Sequence, residues 1–198
     1  MDESPPPESA ACISYWLVPE PSCRTNLQHI IDDVAASYAG PHFVPHMTIA
    51  VSPNSSSDVV RQTLHQAAAT VAPLMLNPVD LLFSQHFTKS CFLQFKLNAD
   101  LIQLSNFFQS SASPPSGYAF NPHMSLFYGS LSELQRHSML KRVALPQTIN
   151  FSELWAIQIL NKTTTAQDVN DWQVVGKAKL RAAATPPANQ NGQTPRGR

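Results

Sequence analysis

The sequence predicts a mixed fold of helices and strands, built from two similar βαβ-like halves. Short apolar segments with a period of two alternate along the chain with longer segments of helical periodicity. The order strand, helix, strand starts near residues 13, 24 and 46 and returns near 92, 100 and 123. The two strands that close these units are almost the same in letters, HMTIAV and HMSLFY, which indicates an internal duplication.

The first half begins with the predicted strand ISYWLV at 13–18. The next segment forms one apolar helical stripe, and Gly40-Pro41 ends that helix. The strand HMTIAVS at 46–52 is the first histidine strand, and the helix predicted at 58–72 follows a serine run that supplies its N-cap. The apolar stripe consists of Leu27, Ile30, Ile31, Val34 and Tyr38.

The second half begins with a predicted hairpin, VDLLFSQHF followed by CFLQFKL. A helix at 100–110 leads to the second histidine strand, HMSLFYG at 123–129. Ser132 and Gln135 have the spacing of a capping box, which predicts a helix at 133–142. Two apolar segments, INFSELWAIQIL and WQVVGKAKL, complete the chain as strands.

Length and composition favour one folded domain. The 198 residues suit a single domain or two small lobes. Segments 1–11 and 182–198 contain few large apolar residues, so we expect disordered tails around a domain at 12–181. The chain has no run of 18 apolar residues, and its acidic, proline-rich start does not resemble a secretory signal. We therefore expect a soluble, intracellular, cytoplasmic monomer without a membrane span.

Charge and cysteine content narrow the classes of partner. Lys and Arg total 13, as do Asp and Glu, which argues against binding of long nucleic acid through many phosphates. A small anionic ligand in a local pocket fits this balance. The three cysteines, Cys12, Cys23 and Cys91, match neither a zinc site nor a disulfide scaffold, so we expect reduced thiols. A pair between Cys12 and Cys23 remains open.

The two histidine strands each separate into a polar face and an apolar face. Because side chains alternate along a strand, His46 and Thr48 share one face, and His123 and Ser125 share the corresponding face of the second copy. If a pseudo-twofold axis relates the halves, both polar faces line one cleft. The opposite faces supply core residues, namely Met47, Ile49, Val51, Met124 and Leu126.

Two histidines and two hydroxyls suit acid–base chemistry on a cyclic phosphate diester. A neutral imidazole accepts a proton and a charged one donates it, and an ordinary pKa near 6.5 permits both forms. One histidine would activate water for in-line attack on phosphorus, and the other would protonate the departing sugar oxygen. Thr48 and Ser125 would hold the non-bridging oxygens. Symmetry alone does not say which of His46 and His123 is the base.

The paired motifs His46-Met47-Thr48 and His123-Met124-Ser125 resemble the duplicated H-x-[ST] signature of the two-histidine (2H) phosphoesterases. The resemblance covers about residues 13–180 and is closest to the cyclic phosphodiesterase branch, in particular to fungal 2',3'-cyclic-nucleotide 3'-phosphodiesterases. SYWLVPEP resembles the opening strand of that branch, and GPHFVPH resembles the lead-in to its first motif.

The resemblance implies a bilobal α+β fold in which antiparallel sheets face a central cleft and helices lie outside. It implies hydrolysis of ribose 2',3'-cyclic phosphates to 2'-phosphates, with no metal and no cofactor. ADP-ribose 1'',2''-cyclic phosphate, a by-product of tRNA splicing, is a substrate that it suggests, and Golgi association is a location that it suggests. The expected partner is a small cyclic phosphate.

The resemblance also points to two aromatic residues. Tyr128 occupies the place of an aromatic that family members use near the phosphate, and Trp16 matches one that stacks on a base or closes the cleft. By strict alternation Tyr128 falls on the core face, so we expect it to lie where the strand ends. Core packing is the competing interpretation for both aromatics.

Other classes of site fit less well. The motif histidines have no Asp, Glu or Cys at metal-ligand spacing, and the chain has neither a G-x-S-x-G elbow nor a phosphate-binding P-loop. Two alternatives remain: a 2H enzyme that acts on RNA ends, and a module that binds a nucleotide without turnover. Zero net charge opposes the first, and two intact motifs oppose the second.

Overall fold

The computed structural model describes residues 11–112, 118–144 and 146–181. The predicted tails, 1–11 and 182–198, lie outside the described residues except for Ala11. Within the described ranges the helices are α1 (Pro21–Tyr38), α2 (Ser57–Ala68), α3 (Ala99–Ser111), α4 (Glu133–Arg142) and α5 (Ala166–Asn170). The strands are β1 (Cys12–Pro19), β2 (Met47–Pro53), β3 (Leu74–Leu76), β4 (Pro78–Phe83), β5 (Cys91–Phe95), β6 (His123–Phe127), β7 (Ile149–Ile159) and β8 (Gln173–Lys179).

The strands form one antiparallel sheet in the order β3-β7-β1-β2-β6-β5-β4, with β8 also paired to β7. The two terminal strands of this order, β3 and β4, are consecutive in the chain and separated only by Asn77. The two ends of the sheet therefore lie near each other, so the sheet nearly closes on itself.

The internal duplication is visible in the centre of the sheet. The units β1-α1-β2 and β5-α3-β6 are arranged as β1-β2-β6-β5, and the halves join through the single residue pair Met47 and Met124. Each helix packs across the junction, α1 on β6 and α3 on β2. The predicted α+β fold with duplicated antiparallel lobes is thus confirmed, and the structure shows that the sheets of the two lobes are continuous.

The helix ends follow from local sequence. Helix α1 begins at Pro21, which lacks an N–H, but an N–H in the first turn would have no partner within the helix. The C-cap of the same helix is Ala39, which has left-handed backbone angles (φ 54°) and precedes Gly40. Ser132 and Gln135 form the predicted capping box of α4. Ser56 occupies the N-cap of α2 as expected, but its side chain makes no capping hydrogen bond there.

Several elements differ from the sequence-based expectation. Helix α2 ends at Ala68, four residues before the predicted end at 72, and the short β3 follows it. Helix α5 and a 3₁₀ turn at Phe87–Lys89, called the 87–89 turn below, were not predicted. All three cysteines are free thiols, so Cys12 and Cys23 form no disulfide. Among the residues described, no helix combines the length and apolar character needed to cross a membrane.

The sheet separates two apolar clusters. Alternate residues of β1, such as Tyr15 and Leu17, pack in the main core under the helices. Trp16 and Val18 point to the other face, where they form a smaller cluster with Trp155 and Ile157. A cavity lined in part by Trp16 also lies on this second face.

Candidate active site

One cavity of about 340 Å³ brings the predicted site residues together. It lies where β2 and β6 meet, so the pseudo-twofold axis of the sheet passes beside it. Met47 and Met124 are fully buried on the opposite face, as the strand alternation predicts. Val51 was expected there too, but it lines the cavity, because the register between β1 and β2 shifts at Ile49 and the alternation breaks. The cavity is lined by all six predicted residues, Trp16, His46, Thr48, His123, Ser125 and Tyr128.

Each motif histidine contacts the backbone carbonyl of the residue two positions before it. His46 Nδ1 lies 2.6 Å from the Val44 carbonyl oxygen, and His123 Nδ1 lies 2.8 Å from the Asn121 carbonyl oxygen. A carbonyl oxygen only accepts hydrogen bonds, so each Nδ1 carries the proton and donates it. In the neutral ring, Nε2 is therefore the unprotonated nitrogen and is available to accept a proton from a ligand or water.

The chain positions these carbonyls with proline. Pro45 and Pro122 each stand between a histidine and the residue whose carbonyl it contacts. Proline disfavours helical backbone in the residue before it and fixes its own φ angle, which restricts where that carbonyl can point. The Pro-His pair was visible in both motifs, although the carbonyl contact itself was not predicted.

Aromatic rings bury His46. Its side chain lies flat against Trp16, with ring centroids 3.5 Å apart and an 8° angle between planes. The rings of Phe43 and Trp172 lie edge-on to the His46 ring, with centroid distances of 6.2 and 6.1 Å. The pKa of His46 is lowered from 6.5 to about 3, chiefly by burial and also by the nearby His123, while the hydrogen bond to the Val44 carbonyl opposes this shift. His46 is therefore neutral in the empty site.

His123 lies in a more open environment. Its side chain is partly exposed, whereas His46 is only 6% exposed. Phe92 contacts the His123 ring edge-on at 5.5 Å. Burial is the largest cause that lowers the pKa of His123, the Asn121 carbonyl raises it, and the positive charge of Lys89 lowers it. The two motif histidines are thus equivalent in sequence but unequal in environment.

The two hydroxyls also differ. Ser125 Oγ donates a hydrogen bond of 2.8 Å to the Thr88 carbonyl oxygen in the 87–89 turn. The Thr48 hydroxyl makes no hydrogen bond to another described residue, while the backbone carbonyl of Thr48 accepts one from the Tyr118 hydroxyl at 3.3 Å. Thr48 is therefore free to donate to a ligand at once, whereas Ser125 must first turn from Thr88.

Tyr128 lies directly after β6 ends at Phe127, and it is buried beside Ser125. Its ring stacks on Phe43 with centroids 3.9 Å apart. Burial raises the pKa of Tyr128, while the neighbouring Ser125 hydroxyl has the opposite, smaller effect. Tyr128 is therefore a protonated phenol at neutral pH, beside the hydroxyl that we expect to meet the phosphate.

The connection between β7 and β8 contributes residues that the sequence did not reveal. Lys162, Thr163 and Trp172 line the same cavity. Trp172 Nε1 donates a hydrogen bond of 3.1 Å to Thr163 Oγ1, which joins the two ends of this connection. None of the three belongs to a repeated motif, so only the fold brings them to the site.

Metal-ligating residues do not cluster here. Across the described ranges, no group of three or more His, Cys, Asp or Glu side chains lies close enough to hold a metal ion. The described residues that line the cavity also include neither Asp nor Glu. The chemistry of the lining is therefore that of imidazole, hydroxyl and aromatic groups with one lysine.

A duplicated antiparallel sheet that carries one histidine and one hydroxyl from each half into a shared cavity defines the 2H phosphoesterases. Residues 11–180 match the family described as Cyclic phosphodiesterase-like protein. This match covers most of the chain, and the protein belongs to that family. The resemblance of the two H-x-[ST] motifs is thereby confirmed at the level of the family.

Known proteins support the same assignment. The chain is 25% identical over 175 residues to the cyclic phosphodiesterase of Arabidopsis thaliana, covering 84% of this chain and 94% of that protein. The fold is similar to Escherichia coli LigT in apo form, with a TM-score of 0.56, 15% identity, and coverage of 88% and 99%. LigT complexed with 3'-AMP gives a TM-score of 0.56, 17% identity, and coverage of 86% and 98%.

Proposed function

We propose that this protein hydrolyses ribose 2',3'-cyclic phosphates to 2'-phosphates without a metal. His46 and His123 are the acid–base pair, and Thr48 and Ser125 hold the phosphate. The observation that carries the proposal is the matched pair of imidazoles around one cavity, each with Nδ1 bonded to a carbonyl and Nε2 left for substrate. Membership of the family supports phosphodiesterase activity in general.

The reaction divides between the two histidines. Nε2 of the neutral histidine accepts a proton from water, and the water oxygen forms a bond to phosphorus. The bond between phosphorus and the 3' oxygen breaks, and the protonated histidine donates its Nε2 proton to that oxygen. The product is a 2'-phosphate monoester. The Thr48 and Ser125 hydroxyls stabilise the charge that develops on the non-bridging oxygens.

The cavity suits an anion flanked by a sugar and a base. Its described lining holds no carboxylate that would repel phosphate. Trp16 and Tyr128 line the cavity but are each only 3% exposed, because Trp16 stacks on His46 and Tyr128 stacks on Phe43. Their proposed role is therefore to close the cavity wall beside the motif residues. We retain ADP-ribose 1'',2''-cyclic phosphate as a proposed substrate, with ADP-ribose 1''-phosphate as product and a link to tRNA splicing. A cytoplasmic or Golgi-associated location stays a prediction.

The test is turnover of adenosine 2',3'-cyclic phosphate in EDTA, with the products separated by chromatography and assigned by ³¹P NMR. We expect adenosine 2'-phosphate. His46→Asn and His123→Asn should each lower kcat by about 10²–10⁴-fold. His137→Asn, an exposed position on α4, is the matched control and should retain turnover. No product, the 3'-phosphate instead, or unchanged turnover in both motif variants would contradict the proposal.

The same assay separates the two alternatives. An enzyme for RNA ends should prefer an oligonucleotide with a cyclic phosphate terminus over the mononucleotide by at least about tenfold in kcat/KM. The balanced charge of 13 basic and 13 acidic residues predicts the opposite order. A binding module would show ligand affinity by calorimetry without product in either case.

A further inference from the structure

Lys89 places a positive charge beside the second histidine motif without lining the cavity. Its ammonium lies 4.4 Å from the centroid of the Phe92 ring, in a cation–π contact. The Phe92 ring in turn contacts His123 edge-on at 5.5 Å. The ammonium and the imidazole therefore lie within about 10 Å of each other. Phe92 and His123 share this face because Phe92 is paired with Ser125, two residues from His123.

The 87–89 turn that carries Lys89 is fixed to strand β6. Its position does not depend on the lysine side chain, because backbone and serine groups make the attachments. Three hydrogen bonds join this region to β6 and to Gly129 just after it: Ser125 Oγ to Thr88 O at 2.8 Å, Gly129 N to Phe87 O at 3.0 Å, and Ser90 Oγ to Phe127 O at 2.9 Å. The charge is thus held at a defined place relative to His123.

No described acidic group offsets this charge. Lys89 takes part in none of the ion pairs among the described residues. The titratable groups that face His123 across the cavity are His46 directly before β2, Tyr118 before β6, Tyr128 after it, and Lys162 from the β7–β8 connection. The β5 neighbours Phe92 and Gln94 are neutral. Among the described residues around His123, the positive side chains are therefore those of Lys89 and Lys162.

We propose that Lys89 is a positioning residue of the second half of the site, whose ammonium, held over the Phe92 ring, disfavours a positive charge on His123 and adds positive potential for an incoming phosphate. The role in phosphate binding rests on the proposed function. The electrostatics of His123 agree with this role. Burial is the largest cause that lowers the pKa of His123, and the positive charge of Lys89 lowers it as well. An anionic phosphate diester beside His123 reverses this effect, so substrate binding itself makes protonation of His123 easier.

The test compares Lys89→Met with Lys89→Arg. Met keeps an unbranched apolar chain over Phe92 but removes the charge, while Arg keeps both the charge and the contact with the ring. Lys141→Met, on the exposed last turn of α4, is the control for loss of one positive charge elsewhere. The imidazole nitrogens of His123 are titrated by ¹⁵N NMR in the ligand-free protein, and KM is measured at low and high salt.

In Lys89→Met we expect the pKa of His123 to rise by about half a unit, and the KM at low salt to rise about threefold. Lys89→Arg and Lys141→Met should both give the wild-type titration. If His123 titrates alike in wild type and Lys89→Met, or if Lys89→Arg behaves like Lys89→Met, the role of Lys89 is packing and the proposal fails. If the Lys89→Met variant does not fold, the Lys89→Gln variant is used in its place. The titration needs no turnover, so its result is independent of whether the proposed phosphodiesterase activity is found.

Discussion

His46 and Trp16 form a nearly parallel stack, with ring centroids 3.5 Å apart, although Trp16 lies within β1 and His46 directly precedes β2. The contact comes from the antiparallel pairing in which Trp16 lies opposite Thr48, beside the start of β2. Trp16 thereby covers one face of the imidazole and excludes water from it. The aromatic that the resemblance placed near the substrate therefore contributes to the burial that lowers the pKa of the first motif histidine.

We predict that burial of His46 makes the protein less stable in mild acid. The unfolded chain binds a proton at this residue near pH 6.5, whereas the folded protein binds it only near pH 3. Between these values the unfolded state binds more protons, so the free energy of unfolding falls as the pH falls, by up to about 1.4 kcal/mol per pH unit. Above pH 6.5 this group contributes no pH dependence.

Urea unfolding at a series of pH values from 7 to 4 measures this slope. His46→Asn is the informative variant, because its amide can still donate to the Val44 carbonyl but does not titrate. We expect a flatter dependence on pH in His46→Asn than in wild type. Equal slopes in wild type and His46→Asn would show that folding does not change the pKa of His46.

We predict that removal of the two motif hydroxyls has unequal effects on stability but similar effects on activity. Ser125→Ala removes the donor to the Thr88 carbonyl and should lower the free energy of unfolding by about 1–2 kcal/mol. Thr48→Val removes no hydrogen bond within the described residues and should change stability by less than about 0.5 kcal/mol. Both should reduce kcat by about 10²-fold, because both residues line the cavity in which we propose that the phosphate binds.

Thermal unfolding and steady-state kinetics on the same preparations test this pair. Ser125→Thr is the matched control, since it restores a hydroxyl at that position. A loss of stability in Thr48→Val equal to that in Ser125→Ala would mean that Thr48 has a structural partner. Unchanged kcat in both variants would remove the hydroxyls from the proposed reaction.

The sequence predicted the parts of this fold that depend on local periodicity. Alternation along the histidine strands placed His46 and Thr48 on the cavity face and Met47 in the core, and the structure has this arrangement. The capping box of α4 was predicted residue by residue, because it depends on four consecutive positions. The roles of the motif residues in catalysis stay predictions.

Long-range pairing determined what the sequence did not show. Trp172 reaches the cavity only because β7 and β8 pair, and Thr88 meets Ser125 only because the β4–β5 hairpin lies beside β6. No periodic pattern encodes either contact. Strand β3, with three residues, is too short to produce a recognisable alternation, and its pairing with β7 alone defines it.

We predict that Gly40→Ala destabilises the protein. A Cβ atom at Gly40 would overlap the Phe127 ring, since it would lie 2.9 Å from Cδ2 and closer still to Cε2. Phe127 is only 1% exposed and immediately precedes Tyr128, so it cannot move without disturbing β6. We expect a loss of about 1–3 kcal/mol in the free energy of unfolding.

Gly176→Ala on β8 is the matched control for this change. There the added Cβ would meet flexible atoms of Arg61 and Leu64 at 3.2 and 3.3 Å, and we expect a change within about 0.5 kcal/mol. Chemical denaturation of both variants provides the comparison. Equal stability of Gly40→Ala and wild type would show that the Phe127 ring moves aside at little cost.

We predict that Lys162 discriminates between substrates with and without a second phosphate. Lys162 lines the cavity beside Thr163, on the connection from β7 to α5. Asp168 fixes this connection by accepting hydrogen bonds from the backbone and hydroxyl groups of Thr164 and Thr165. All four of these bonds go to Asp168 Oδ2. Lys162 forms no ion pair among the described residues, so its ammonium remains available to an anion.

Lys162→Gln should therefore raise the KM for adenosine 2',3'-cyclic phosphate that also carries a 5'-phosphate, by about fivefold at low salt. The KM for the same nucleoside with a free 5'-hydroxyl should stay within about twofold, since the motif residues still bind the cyclic phosphate. Lys96→Gln, an exposed lysine outside the cavity, is the control and should affect neither. An equal rise for both substrates would place Lys162 at the cyclic phosphate, and no rise for either would mean that the rest of the substrate leaves the cavity on another side.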